Sequence, residues 1–150
     1  MKRILPILVV ALFFNGCTSY FSLSPDEFLQ QASEYQKKSE AMVSFSTFTP
    51  AGGFFFSSRY DANNIRKILC RNDKGELVYL IPDQNTQLEI TSKSTKDIVK
   101  MYFDTVFLEG TKLVGLRSRL LKMPREIELS DIEKIEIYAE FPSTEKVPTK

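Results

Sequence analysis

The sequence predicts a mainly β fold of the α+β class, in which an N-terminal helix is followed by a small antiparallel β-barrel or sandwich. Hydrophobic residues repeat with helical spacing in one segment near the N-terminus, between residues 24 and 38. From Ala41 onward, short β-branched and aromatic runs are separated by polar turns. The chain remaining after the leader has about 130 residues, which suffices for one ordinary domain with a single core.

The first residues have the composition of an export signal. Lys2 and Arg3 precede an apolar run over residues 4–14, and Asn15, Gly16 and Cys17 follow. A charged start, a short apolar segment and a small residue before the cleavage point mark a secretory signal that is removed. The run is too short to cross a bilayer, which needs about 20 apolar residues. An uncleaved apolar N-terminus, or a signal cut elsewhere, is the alternative.

The segment Phe14-Asn15-Gly16-Cys17 resembles a lipobox, the motif that signal peptidase II recognises in bacterial lipoproteins. The resemblance implies cleavage after Gly16 and attachment of diacyl and N-acyl chains, palmitate among them, to Cys17. Thr18 stands where the family's inner-membrane retention signal has aspartate. The resemblance therefore implies an anchor in the outer membrane, facing the periplasm. Several acyl chains on one residue give stable anchoring.

These features divide the chain into four parts. Residues 1–16 are expected to be the signal peptide and residues 17–23 a lipidated tether. Residues 24–140 are expected to form one helix-plus-β domain. Residues 141–150 are polar and contain two prolines, which predicts a disordered tail.

The predicted helix begins at Ser24. Ser24, Pro25 and Glu27 combine an N-cap serine, proline at the first helical position and glutamate three residues after the cap. The apolar residues that follow fall on one helical face and are Phe28, Leu29, Ala32 and Tyr35. Lys37 and Lys38 stand near the predicted C-terminal end, where cations suit the helix dipole. We expect the apolar face to pack on the domain; contact with lipid is the alternative.

A run of three phenylalanines, Phe54, Phe55 and Phe56, follows a strand with alternating apolar residues over 43–47 and a break at 50–53. Three consecutive rings cannot all face one side of a strand. Apolar runs of this length usually report burial, which favours coverage of both faces. The alternative leaves a ring exposed at a sheet edge or loop tip, and it makes these phenylalanines the candidate contact with a partner.

Residues 64–140 contain a succession of short strands with recognisable turns, which favours antiparallel hairpins over βαβ units. The predicted pairs are residues 68–71 with 77–81, 88–91 with 98–103, 105–108 with 113–119, and 127–129 with 135–138. A single helical turn capped by Ser130 is predicted between the last two strands.

The order of segments 107–110, 113–116 and 127–137 is similar to that of a small SH3-like or Sm-like β-barrel, whose final strand often follows one helical turn. The resemblance implies a fold and no activity, because such barrels serve unrelated binding functions. RNA binding by the Sm branch is not implied, because no matching basic residues can be assigned.

Composition restricts the chemistry. Removing residues 1–16 leaves 18 basic and 19 acidic residues, and this balance argues against nucleic acid as a partner. The chain has no histidine, which removes the usual general base and the commonest metal ligand, so we expect no metal and no cofactor. With Cys17 acylated, Cys70 is left without a disulfide partner, and its apolar neighbours predict a buried thiol.

The only local basic cluster is residues 116–125, and either a solvated strand edge or loop, or contact with anionic lipid, would explain it. The favoured function is a membrane-anchored, non-enzymatic binding or assembly module of the cell envelope, with an envelope protein as its possible partner. The alternatives are a structural envelope lipoprotein without a specific ligand and a small hydrolase or transferase. The oligomeric state is left open.

Overall fold

The computed structural model describes residues 19–148, which form one α-helix and twelve β-strands. The helix, α1, is Pro25–Ser33. The strands in chain order are β1 Ser19–Leu23, β2 Ser39–Thr49, β3 Gly52–Ala62, β4 Ile68–Arg71, β5 Leu77–Ile81, β6 Gln87–Ser92, β7 Ile98–Tyr102, β8 Phe107–Glu109, β9 Lys112–Ser118, β10 Met123–Glu128, β11 Ile132–Ala139 and β12 Ser143–Lys146. Short 3-10 turns occupy Phe103–Thr105 and Leu129–Asp131.

The strands form three antiparallel sheets. The largest has seven strands in the order β12-β5-β4-β1-β11-β6-β7, the second has three in the order β10-β9-β8, and the third is the hairpin β2-β3. The predicted mainly β class, with one helix and antiparallel sheets, is therefore confirmed. Within residues 19–148 the sheets do not close into a barrel, because β12 and β7 remain as the two edges of the large sheet.

The seven-stranded sheet is curled. Only Glu140–Pro142 connect β11 to β12, and a chain of that length reaches at most about 14 Å. Four strand spacings would separate the same strands by about 19 Å in a flat sheet. The curl encloses one core, to which the helix contributes Phe28 and Ala32 and the three-stranded sheet contributes Leu113 and Ile127.

The helix begins where the sequence predicts. Ser24 accepts a hydrogen bond from the backbone N–H of Glu27 at 3.2 Å, and the Glu27 carboxylate accepts one from the backbone N–H of Ser24 at 2.9 Å. This reciprocal pair is a capping box, and it lowers the pKa of Glu27 through the backbone hydrogen bond of Ser24. The helix ends at Ser33, so Lys37 and Lys38 lie beyond it and not in its last turn.

Two segments expected outside the domain are strands. Ser19–Leu23, expected as tether, is β1 in the middle of the large sheet, with Phe21 and Leu23 buried, so that a strand precedes the helix. The alternation of these two residues with serines is the pattern of a half-buried strand. Ser143–Lys146, expected as disordered tail, is the edge strand β12, paired with β5.

Three of the four predicted hairpins are present: β4 pairs with β5, β6 with β7, and β8 with β9. The fourth prediction is wrong, because β10 pairs with β9 and β11 lies between β1 and β6. A helical turn does separate them, but Ser130 lies inside it and does not cap it. Asp131 in that turn accepts hydrogen bonds from Ser92 at 2.6 Å and from the Ser94 backbone at 2.9 Å. These bonds direct β11 to the side of β6.

Candidate functional site

The hairpin β2-β3, which we call the arm, carries the candidate contact residues. Its strands have eleven residues each and pair in register from Ser39 opposite Ala62 to Thr49 opposite Gly52. The two-residue turn Pro50-Ala51 joins them, and Gly52 has a φ of 134°, which favours glycine. Beyond each other, the strands contact the remainder of the fold mainly where β3 meets Phe103–Thr105.

The predicted coverage of Phe54, Phe55 and Phe56 is wrong. These side chains are 70%, 72% and 53% exposed, and Phe48 near the turn is 90% exposed. The run of apolar residues belongs to an arm that leaves the body, since within residues 19–148 no second layer of the fold lies over either of its faces. The alternative, in which the phenylalanines are exposed, is therefore the one observed, and their contact with a partner stays a prediction.

Both faces of the arm carry phenylalanine. Residues opposite each other in an antiparallel pair point to the same side, and neighbours along a strand point to opposite sides. Phe45 lies opposite Phe56 and Thr47 opposite Phe54, which places three rings on one face. Phe48 lies opposite Gly53 on the other face, which Phe55 shares.

A polar contact holds the root of the arm to the body. The Tyr60 hydroxyl donates a hydrogen bond to Asp104 Oδ2 at 2.7 Å, and Arg119 Nη1 donates to the same oxygen at 3.0 Å and to the Tyr60 hydroxyl at 3.2 Å. The Arg119 guanidinium also lies 4.0 Å from the ring centre of Tyr102. Arg119 is only 6% exposed, which makes the site largely dry, and Asp104 compensates the buried positive charge.

Asn63 fixes the end of β3 to the same place. Its backbone N–H donates to the carbonyl of Asp104 at 2.7 Å, and its side-chain amide donates to the carbonyls of Phe103 and Val106 at 2.8 and 3.1 Å. These bonds and the Tyr60 contact hold the arm at a fixed root, while the arm beyond Arg59 leaves the body.

A cleft of about 790 Å³ lies beside the root. The outer face of the three-stranded sheet provides an apolar floor, and β3 and Lys38 form the other side; the lining includes Lys38, Tyr60, Phe107, Val114, Leu116 and Pro124. Charges of both signs surround it, among them the exposed pair of Lys38 with Glu109 at 3.5 Å. Its size is that of a small-molecule site.

Burial, followed by the hydrogen bond to Asp104, raises the pKa of Tyr60 at the wall of this cleft. The hydroxyl is therefore protonated at neutral pH and serves as a hydrogen-bond donor. General acid–base catalysis works best with a group that titrates near the working pH. The shift moves Tyr60 away from that range.

Several other side chains that could carry chemistry have structural surroundings. Cys70 is buried, and burial raises its pKa to about 11, which keeps the thiol protonated and unreactive. Glu126 and Glu128 flank the ammonium of Lys112, at 2.7 and 3.7 Å. Arg119, expected in a solvated edge or at lipid, is instead buried at the arm root. Gly16 and Cys17 lie outside the described residues.

Sequence reasoning missed the root contact. Tyr60, Asp104 and Arg119 are separated by 44 and 15 positions, and no motif joins them. The one available signal was an arginine next to apolar residues at the end of a predicted strand.

No protein-family model matches the chain, and no curated protein or solved structure is significantly similar to it. Over residues 19–148, no helix is long and apolar enough to cross a membrane. The same residues contain no group of three side chains suited to hold a metal ion.

Proposed function

We propose that this protein is a lipid-anchored lipoprotein of the cell envelope that acts as a non-enzymatic binding or assembly module, with the arm as its contact surface. The observation that supports this most directly is the exposure of Phe48, Phe54 and Phe55 on a hairpin whose root is fixed. Contiguous apolar surface on a soluble domain usually marks a place where another molecule binds.

The tendency of such an exposed apolar hairpin to aggregate supports a role for the arm in binding another molecule. Long exposed strands with apolar side chains and free edges promote aggregation, and proteins normally shorten, charge or cover them. Here the eleven-residue strands have neither cover nor charge near the tip. A partner that covers the arm in the cell would remove this liability.

The proposed location in the cell rests on the sequence alone. Gly16 and Cys17 supply the cleavage and acylation site, and Thr18 directs the lipoprotein to the outer membrane in this proposal, facing the periplasm. The described chain begins at Ser19, so the folded domain would start two residues after the lipid and lie close to the membrane surface.

Photocrosslinking in cells tests the contact surface. A photoreactive amino acid at Phe55 should give covalent products with protein or lipid, and the same amino acid at Ile98 is the matched control. Ile98 is exposed to a similar degree, at 56% against 72%, but it lies at the start of β7 and not on the arm. Absence of products from Phe55, or equal products from both sites, would contradict the proposal.

A structural envelope lipoprotein without a specific ligand is the alternative, and it predicts that substitutions of the three phenylalanines act on folding alone. A small hydrolase or transferase is less favoured. The cleft could admit a substrate, but the pKa of its tyrosine is shifted away from neutral and its charged rim includes exposed ion pairs.

A further inference from the structure

We infer that the covering partner of the arm is the lipid bilayer, and that the tip of the arm, residues 47–55, inserts into the membrane to which Cys17 is anchored. This inference rests on the proposed function, because it takes the arm as the contact surface and the lipid on Cys17 as the anchor. Four observations carry it.

The first observation is that apolar side chains lie on both faces at the tip. Phe54 points to one side of the hairpin, and Phe48 and Phe55 point to the other. A flat protein surface covers one face of a two-stranded sheet and leaves the opposite rings in water. A bilayer surrounds an inserted tip and removes the rings on both faces from water together.

The second observation is the distribution of charge along the arm. Residues 43–58 contain five phenylalanines and no Asp, Glu, Lys or Arg. The charged residues of the hairpin, Glu40, Arg59 and Asp61, all lie near its root. Charged side chains are costly to transfer into a bilayer and phenylalanine favours it. The uncharged span covers the outer part of the arm, about 23 Å along each strand.

The third observation is the position of the root relative to the anchor. Tyr20, Tyr138, Gln87 and Tyr102 are successive partners across β1, β11, β6 and β7, so they form one row at one end of the sheet. Three strand spacings along this row make about 14 Å. The start of the described chain at Ser19 and the arm root at Asp104 therefore lie at the same end of the sheet.

The fourth observation is that further apolar side chains are exposed at this end of the sheet. Phe141 is exposed and follows two residues after Ala139, the partner of Ser19. Leu121 is exposed in the turn between β9 and β10, two residues after Arg119 at the arm root. Aromatic and aliphatic side chains gathered around an anchor are typical of a surface that faces a membrane interface.

The backbone limits the depth of insertion. Among the described residues, the outer edges of β2 and β3 pair with no other strand, and unpaired backbone groups are excluded from the hydrocarbon region unless protein or water satisfies them. The turn and its phenylalanines are therefore placed at the boundary between headgroups and acyl chains. Two attachment points, the lipid and the tip, would fix the orientation of the domain on the membrane.

Tryptophan fluorescence tests the insertion, because the chain contains no tryptophan of its own. The acylated full-length protein is reconstituted into phosphatidylethanolamine–phosphatidylglycerol vesicles with or without bromine on the acyl chains. Brominated lipid should quench the fluorescence of the Phe55→Trp variant about twofold or more, as expected for a ring at the acyl boundary. The Ile98→Trp variant is the control, because Ile98 is exposed at the opposite end of β7 from Tyr102, and its fluorescence should be unchanged.

Co-flotation with the vesicles, recorded in the same samples, separates the two proposals. Protein that floats while Phe55→Trp escapes quenching would overturn the inserted arm and leave the lipid anchor intact. Protein that fails to float would overturn the anchor on which both proposals rest. An envelope protein that protects Phe55→Trp from a water-soluble quencher, where brominated lipid has no effect, would assign the arm to a protein partner and overturn the lipid assignment.

A second variant controls for misfolding. Ser46 lies opposite Phe55 on the arm, and Lys74 is exposed and far from the arm in sequence. The Ser46→Glu substitution in the Phe55→Trp background should abolish the quenching by placing a charge beside the inserted ring. The Lys74→Glu substitution, in the exposed turn between β4 and β5, should leave the quenching unchanged. Equal quenching in both would contradict insertion.

Discussion

Asp104 is the residue on which the attachment of the arm depends. Its Oδ2 oxygen accepts hydrogen bonds from both Tyr60 and Arg119, and Arg119 is only 6% exposed. A buried cation whose carboxylate is removed keeps its desolvation cost and loses its compensation. The stability of the root therefore depends on one carboxylate that three distant parts of the chain share.

The Asp104→Ala substitution should lower the free energy of unfolding by about 2 to 4 kcal/mol, because it leaves Arg119 unpaired in a largely dry site. Urea denaturation measures the change. The control is Lys96→Ala, which removes an exposed ion pair with Glu133 at 2.6 Å and should cost less than about 1 kcal/mol. Equal losses in the two variants would contradict the role of the root contact.

Cys70 should react with a thiol reagent only after unfolding. The thiol is buried in the core, and burial raises its pKa to about 11, so both access and thiolate are lacking at neutral pH. Alkylation with iodoacetamide, followed by mass spectrometry of the peptide that contains Cys70, measures this with and without denaturant. Rapid labelling of the native protein would show that β4 opens readily or that the core assignment is wrong.

At the level of elements, the helix is held to the sheets by amide side chains. Gln31 donates from Nε2 to the carbonyl of Leu69 at 3.0 Å and accepts from its backbone N–H at 2.7 Å, as a neighbouring strand would. Gln36, beyond the helix, accepts from the backbone N–H of Leu108 at 2.9 Å. These side chains satisfy backbone groups at the points where strand pairing stops.

The Gln31→Ala substitution should destabilise the fold by about 1 to 3 kcal/mol, because it leaves two backbone groups of Leu69 without partners in a partly buried place. Thermal or urea unfolding measures the loss. The Gln30→Ala substitution, on the exposed side of the same helix, should change stability by less than about 0.5 kcal/mol. Similar effects of both would mean that helix propensity and not the amide contact determines the result.

Replacement of Phe54 and Phe55 by serine should change the free energy of unfolding by less than about 1 kcal/mol, because both rings are more than two-thirds exposed in the isolated protein. Urea denaturation without membranes measures it. The contrasting substitution Phe28→Ser removes a fully buried ring of the core and should cost several kcal/mol, about 3 to 5. A comparable loss from the arm variant would show that the arm folds back on the body.

At the scale of the whole molecule, the described domain needs no second layer over the arm to complete its core. Helix, curled sheet and three-stranded sheet share one buried cluster, and the arm contributes only Ala62 at its root to the buried apolar residues. The arm can therefore engage a surface without unfolding the body. The domain and the arm are suited to separate tasks.

The Cys17→Ala substitution should abolish incorporation of labelled palmitate and leave a larger, unprocessed precursor, because the proposed acyl acceptor and the proposed cleavage motif are lost together. Metabolic labelling and gel mobility measure both effects in cells. The Cys70→Ala variant is the control and should keep its label. Label that persists in the Cys17→Ala variant would show that the proposed lipid anchor at Cys17 is wrong.

The sequence by itself determined the local elements. The capping box at Ser24, the three hairpins joined by short polar turns and the mainly β class follow from spacing and turn chemistry, which act over a few residues. The same local signals placed β2, its break at Pro50 and the second strand of phenylalanines. The alternating pattern of β1 was also present in the sequence, although its proximity to the predicted export signal favoured a tether.

Only the tertiary structure decided how these elements meet. Exposure of the phenylalanines depends on whether another layer covers the arm, and an apolar run is the same in either case. The partners of β11 depend on Asp131 and the turn beside Ser92, which are 39 positions apart. The root contact joins Tyr60, Asp104 and Arg119 through folding alone. Periodicity records which residues share a face, whereas cover and pairing depend on contacts between residues far apart in the chain.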